Sequence, residues 1–214
     1  MARLLLASRG IPNLADLAAA RGTDAVLVPT AANELAEPEI ADEVEAELGA
    51  NGFAVRRLDL DRVQPAEAHA LWTGADVIAV CGGDPFQLLA AARRALFGET
   101  LRGALAREAV YIGYSAGATL VAPTLEPLVM TSPFSPPDGM DLSGLGLVDV
   151  LVLPHDDRPG RRRRHEAAMR AFGSRLALAP LADGDVLVHD HGVTSIIRRR
   201  RSARRSAPDD EGRR

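Results

Sequence analysis

The pentapeptide Gly113-Tyr114-Ser115-Ala116-Gly117 sets a serine between two glycines, directly after the apolar run Val110-Tyr111-Ile112 and before Ala118-Thr119-Leu120. Strand, sharp turn, helix is the form of a nucleophile elbow. The glycines clear space around a strained turn, and the serine hydroxyl is pushed into a cleft. The helix N-terminus behind the serine offers unpaired backbone N–H groups to a developing oxyanion. The chain contains no lysine. A Ser–Lys dyad, a Schiff-base lysine and a Walker-type phosphate loop are thereby excluded, and the base that activates Ser115 must be a histidine or a carboxylate.

Five histidines compete for that role. His69 falls in a predicted surface helix, His165 in an arginine-rich helix start, and His189 and His191 flank a turn near the end. Only His155 sits at the carboxyl end of a buried-strand pattern, Val150-Leu151-Val152-Leu153, which runs into Pro154-His155 and makes His155 the candidate general base. A metal reading of His189 and His191 lacks two further convergent donors. A triad also needs an acid to orient the imidazole. Asp183 precedes the final hairpin and can reach His155 if the first hairpin strand runs antiparallel to the main sheet. Asp156, Asp157 and Asp185 remain alternatives.

The stretch Cys81-Gly82-Gly83-Asp84-Pro85-Phe86-Gln87 reads as a strand end turning into a helix. Asp84 fits the N-cap, Pro85 the first helical position, and Gln87 the return half of a capping box. The glycines either make a tight turn only, or expose the Gly83 N–H as one oxyanion donor, with the Ala116 N–H as the second.

These groups need a scaffold. Strand patterns at 4–7, 25–28, 53–58, 76–80, 110–114 and 150–153 alternate with helical patterns such as 39–48 and 85–97. Runs apolar on both faces suit a parallel sheet covered by helices on both sides. The expected fold is α/β: a doubly wound, mostly parallel sheet flanked by helices, with a C-terminal hairpin at 186–189 and 193–197. Ligands of such sheets sit beyond the carboxyl ends of the strands, and the three strands ending at 80, 114 and 153 each run into chemically loaded residues. The segment 123–146, rich in Pro, Gly and Ser, reads as a long loop. We expect one domain over 1–197 and a disordered arginine-rich tail over 198–214.

At 214 residues and a net charge of −4, the chain fits one α/β domain without an overall basic field. Nucleic acid is not an expected partner; the arginines of the tail would support only non-specific, salt-sensitive contact. No apolar stretch has the length of a membrane span. The single cysteine, Cys81, permits no internal disulfide, so a cytoplasmic setting is expected.

Three blocks carry a resemblance: Gly82-Gly83-Asp84-Pro85-Phe86-Gln87-Leu88-Leu89, Gly113-Tyr114-Ser115-Ala116-Gly117-Ala118 and Leu153-Pro154-His155, with the weaker Leu181-Ala182-Asp183-Gly184. In this order and spacing the chain resembles the aspartyl dipeptidase (peptidase E) family of serine peptidases, whose fold is like that of class I glutamine amidotransferases and flavodoxin. The resemblance implies Ser115 as nucleophile, His155 as base, Asp183 as third triad member, and Gly83 and Ala116 as the oxyanion hole. It implies hydrolysis of small peptides, dipeptides with an N-terminal Asp first among them, with no cofactor or metal, and the chain is expected as a monomer or homodimer.

The chain departs from the family twice. Best-known members have Glu where this chain has Asp183, shorter by one methylene, and usually Asn where it has Asp84, grouped here with the substrate-binding candidates. The resemblance also implies a substrate-binding arginine after His155. Arg158, Arg161, Arg162, Arg163 and Arg164 are the candidates, with Arg164 first and Arg163 beside it, since the planar guanidinium binds carboxylates bidentately. A solvated basic helix start is the bland alternative.

Two rival readings stay open. An esterase of the α/β-hydrolase type would need His189 or His191 with Asp149 or Asp157, in the order Ser, acid, His. A binding protein that kept the elbow and lost activity is the non-enzyme alternative.

Overall fold

The computed structural model describes residues 2–33, 35, 39–63, 72 and 74–199. His69 and the segment 200–214 lie outside these residues, and with them most of the expected tail.

Among the described residues nine strands are present: β1 (Arg3–Ala7), β2 (Asp24–Val28), β3 (Ala54–Arg57), β4 (Val77–Val80), β5 (Val110–Tyr114), β6 (Val150–Pro154), β7 (Ala177–Leu181), β8 (Val186–Asp190) and β9 (Val193–Ile197). Seven form one sheet in the order β3-β2-β4-β5-β1-β8-β9. The first five are mutually parallel, whereas β8 runs antiparallel to β1 and β9 antiparallel to β8. This is the doubly wound sheet that the alternating pattern predicts, with its hairpin on one side.

Strand side chains alternate between two faces, and each face has its own core. Leu4, Leu6, Ile78, Val80 and Tyr111 pack on one side, with Phe86, Leu88 and Leu89 of α3 (Pro85–Arg94) and Leu101 of α4 (Phe97–Ala106). Leu5, Ala7, Val77, Ala79 and Ile112 pack on the other, with Leu14 and Ala18 of α1 (Leu14–Ala18) and Val44 and Leu48 of α2 (Glu39–Ala50). Helices on both faces explain why β4 and β5 are buried at every position. Among the described residues no helix is long and apolar enough to cross a membrane.

The structure corrects four expectations of detail. The strand at 150–153 is not part of the main sheet: β6 pairs in parallel with β7 as a separate two-stranded sheet. Its apolar side chains Leu151, Val152 and Leu153 are buried in the first core, together with Ala179 and Leu181 of β7. The helix expected over 85–97 breaks at Leu96, which takes a left-handed φ of 52°, and α4 begins after it. The loop at 123–146 contains the short helix α6 (Leu128–Thr131) and a bridge between Thr124 and Ser143. Gln87 does not return to the Asp84 backbone; its side-chain nitrogen faces Asp61 at 3.4 Å, while the Asp84 N–H bonds the Ala31 carbonyl at 2.8 Å.

Candidate active site

Register brings the polar residues together. In β1 and β5, Ala7 lies beside Tyr114, so Ser8 and Ser115 leave the carboxyl edge as neighbours. Antiparallel pairing of Ala7 with Val186 puts the start of β8, and the turn before it, on that same edge. In the small sheet Pro154 lies beside Leu181, so His155 and Asp183 also emerge close together. The Asp156 N–H donates to the Leu181 carbonyl at 2.9 Å and holds the two chain exits in step.

Ser115 has φ 49° and ψ −106°, a conformation that costs a non-glycine residue on the order of 1–3 kcal/mol. Its N–H donates to the Ala7 carbonyl at 2.9 Å, and its carbonyl accepts from the Thr119 N–H at 3.1 Å. The helix that follows, α5 (Ala116–Leu120), runs so close to β4 that a Cβ on Gly117 would collide with the Val80 carbonyl. The turn at Ser115 therefore needs glycine at 117 for clearance.

The Ser115 Oγ lies 3.0 Å from His155 Nε2, and His155 Nδ1 lies 2.6 Å from Asp183 Oδ1. Arg158 donates to the other carboxylate oxygen, Oδ2, from Nε at 3.1 Å and Nη2 at 2.9 Å. Burial alone would raise the Asp183 carboxyl. Hydrogen bonds from His155, Ser8 and Arg158 outweigh that effect and hold it well below the usual carboxylate range.

The other acids are engaged elsewhere. Asp156 faces His165 Nδ1 at 3.0 Å and Arg162, Asp157 accepts the Asp183 N–H at 3.0 Å, and the buried Asp185 binds Arg198 and the Arg199 N–H. His189 faces Thr194 and His191 faces Asp190 on the hairpin. Neither histidine lines the cavity described below, where the esterase reading would require one of them.

Gly83 and Ala116 line the cavity together with Ser115. Among the described residues neither amide donates a hydrogen bond within the protein, as an oxyanion site requires. Gly83 has φ 143°, and a Cβ there would collide with the Ala31 carbonyl, so only glycine lets this backbone approach. Asp84 spends its carboxylate on the helix, accepting from the N–H groups of Phe86 at 2.8 Å and Gln87 at 3.3 Å. It caps α3 as expected and is not part of the cavity lining, which removes the structural ground for Asp84 as a substrate contact.

Ser115 and His155 open into a cavity of about 600 Å³. Segment 123–146 supplies part of its wall through Leu128, Thr131 and Phe134, and α2 supplies Glu39, Glu43 and Glu47. Among the described residues the arginines that line it are Arg9, Arg158 and Arg161. Arg163 and Arg164, the first choices from sequence, lie exposed on α7 (Arg161–Phe172) outside the lining. Gly160 starts that helix, and its inward face carries Arg161 and, one turn on, the buried His165.

Arg161 donates to the Thr131 carbonyl at 2.6 Å and has no carboxylate partner among the described residues. Burial, with the charges of Arg164 and Arg158 beside it, lowers its guanidinium from the ordinary value. It keeps its charge, because arginine is not deprotonated in proteins. Burial also lowers His165, although Asp156 works in the opposite direction.

Sequence reasoning missed Ser8. It is 1% exposed and touches both His155 and Asp183. The signal was present: a serine directly after the apolar run Leu4-Leu5-Leu6-Ala7, at a strand's carboxyl end. Cys81 directly follows β4, where burial pushes its thiol up to about 12, so it is held as a neutral thiol rather than a nucleophile.

The doubly wound sheet thus carries a hydrogen-bonded Ser–His–Asp chain on a strained turn at its carboxyl edge. Residues 8–197 match peptidase family S51, and the chain belongs to that family. Peptidase E of Salmonella typhimurium (strain LT2) is 34% identical over 134 residues, 61% of this chain and 54% of that protein. Peptidase E of Citrobacter koseri is 38% identical over 90 residues, 42% of this chain and 38% of that protein. The chain thus spans about half the length of the Salmonella relative and less of the Citrobacter one.

Among solved structures, a Listeria monocytogenes EGD-e protein provisionally named peptidase E superposes with a TM-score of 0.78 at 22% identity, covering 92% of this chain and 98% of that one. A peptidase from an acI-B1 Actinobacterium gives 0.68 at 19% identity, covering 93% and 88%. Both share the fold.

Proposed function

We propose that this chain is a serine-type peptidase that hydrolyses small peptides, dipeptides with an N-terminal aspartate first among them. The observation that carries the reading is the continuous chain Ser115 Oγ, His155 Nε2, His155 Nδ1, Asp183 Oδ1, with gaps of 3.0 and 2.6 Å, on a strained elbow facing a cavity.

In the proposed reaction His155 Nε2 takes the Ser115 proton as the hydroxyl oxygen attacks the scissile carbonyl carbon. Asp183 stabilises the imidazolium that results. The Gly83 and Ala116 N–H groups hold the oxyanion. As the tetrahedral species collapses, the C–N bond breaks and His155 gives its proton to the leaving amine. Water, deprotonated by His155, then attacks the acyl-serine and releases the acid.

Arg161 is the proposed anchor for the substrate carboxylate: it is a half-buried, uncompensated cation in the cavity wall. Glu39, Glu43 and Glu47 recur every fourth residue on one face of α2 and suit the free ammonium of a dipeptide. The catalytic unit is proposed to run over 1–197, with 198–214 as a tail, in a cytoplasmic setting.

The test is a dipeptide panel run on the full chain and on Ser115→Ala. Turnover of acidic dipeptides by the native chain alone is expected. Equal turnover by both proteins, or turnover of none of the panel, would sink the reading.

A further inference from the structure

We infer that His165 is a specificity-determining residue of this site: its bare Nε2 stands beside Arg161, so an acidic side chain enters the cavity together with one proton, whereas a carboxamide enters without one. The inference rests on the peptidase reading above, with Arg161 as the anchor. His165 lines the same cavity as Ser115, His155 and Arg161, yet it is only 1% exposed. It follows Arg161 by four residues on α7, and residues so spaced are neighbours on one helix face.

Asp156 places the proton of the neutral ring. Its carboxylate takes a salt bridge from Arg162 on Oδ2 and turns Oδ1 to His165 Nδ1 at 3.0 Å. A carboxylate only accepts, so Nδ1 carries the proton and Nε2 keeps a lone pair. Nε2 has no hydrogen-bond partner among the described residues, and it is not sealed from solvent. The bare nitrogen therefore faces the cavity.

Several charged groups act on this ring. Burial, Arg161 on its own helix and His155 on the loop after β6 favour the neutral form, and Asp156 opposes them. Arg158 on that loop is spent on Asp183, and α2 adds Glu39, Glu43 and Glu47 to the lining, with Glu43 paired to Arg9. A substrate carboxylate held by Arg161 changes the balance. It offsets the arginine charge and sets an acceptor against the Nε2 lone pair. One solvent proton on Nε2 turns that contact into a charge-assisted hydrogen bond, with the imidazolium between two carboxylates.

A carboxamide needs no such proton. Its carbonyl oxygen accepts from Arg161 while its NH₂ donates to the bare Nε2. The advantage of an acidic dipeptide over its carboxamide analogue should therefore fall by up to about tenfold per pH unit, the limit for one linked proton. That fall spans the interval between the pKa of His165 in the free site and in the occupied one.

The experiment is isothermal titration calorimetry of full chain carrying Ser115→Ala, which binds without turnover, with Asp-Leu and Asn-Leu. Buffers of different ionisation enthalpy give the protons taken up, from about pH 5.5 to 8, around the histidine reference of about 6.5. The two peptides share both termini, so the difference between them isolates the side chain. Asp-Leu should take up more protons than Asn-Leu, with the difference approaching one per site at its maximum. Adding His165→Gln should abolish that difference.

Equal uptake by the two peptides overturns the inference with no change at residue 165. A difference that persists in His165→Gln overturns it too, as does Asp-Leu that fails to bind at millimolar concentration. Calorimetry does not depend on turnover. A native chain that hydrolyses neither peptide, with the proton difference intact, would defeat the peptidase reading while supporting the role of His165.

Discussion

Arg158 grips Asp183 with two prongs, Nε at 3.1 Å and Nη2 at 2.9 Å, both on Oδ2. Oδ1 is left for His155 and Ser8. The carboxylate is thus fixed through both oxygens, which compensates for the short reach of an aspartate. The pair is partly exposed, at 41% and 25% of the two side chains, and such ion pairs are worth up to about 1 kcal/mol. Replacing Arg158 by Ala should accordingly lower kcat by about fivefold or less. Arg158→Lys should not restore it fully, since an ammonium lacks the planar fork. A loss of a hundredfold in steady-state kcat would instead mean that Arg158 acts on the substrate itself.

The depressed Asp183 carboxyl has a consequence for stability. A carboxylate whose native pKa lies below its unfolded value of about 3.9 binds protons more readily when unfolded. Its contribution is fully present above that unfolded value and is lost as pH falls toward the native one. The stability gap between the native chain and Asp183→Asn should be constant from pH 7 to about 5 and then narrow on further acidification. Urea unfolding at a series of pH values measures it. A gap that stays constant to pH 3 would mean that the carboxylate is not held low.

How much of this was legible in sequence can be argued residue by residue. The runs in β1, β4 and β5 announced a buried parallel sheet, and the polar residues after β4 and β5 marked its working edge. The apolar run of β6 reported burial, but burial does not name a pairing partner, and its partner β7 was hidden by Ala177, Ala179 and Pro180, poor strand formers. Nothing at Leu96 signals a left-handed residue, so two helices read as one.

Within the site, Ser115, His155, Gly83 and Ala116 followed from motif and strand end. Four aspartates on two turns could not be ranked without hydrogen bonds. The choice between Arg161 and Arg164 rested on where α7 begins, which Gly160 sets and the arginine run conceals.

Arg161 supplies the next expectation. Its uncompensated charge lines the cavity, whereas Arg163 and Arg164 are exposed. A hydrogen bond to a charged group is worth about 1.5–3 kcal/mol, so Arg161→Met should raise KM for an acidic dipeptide by about 10- to 100-fold. If the contact is equally strong in ground and transition states, kcat should change little. Arg163→Gln and Arg164→Gln should leave KM within about twofold, the scale of a solvated surface charge. Steady-state kinetics on the three variants decides it, and the reverse ranking would return the substrate contact to Arg164.

Gly83 offers a test of the oxyanion donors. Its φ of 143° and the adjacent Ala31 carbonyl leave no room for a methyl group, so Gly83→Ala must shift the amide. Loss of one oxyanion donor costs about 10²–10³ in kcat, and a loss of at least that size is expected, together with a lower thermal midpoint from the backbone clash and the strained φ. A native kcat in this variant would remove Gly83 from the mechanism.

The central claim is that His155 activates the Ser115 hydroxyl, and covalent labelling with a fluorophosphonate tests it most directly. Native chain should take up one equivalent of probe, mapped by peptide mass spectrometry to Ser115, and His155→Ala should take up none on the same timescale. An unlabelled native chain, or a label on any other serine, would contradict the account.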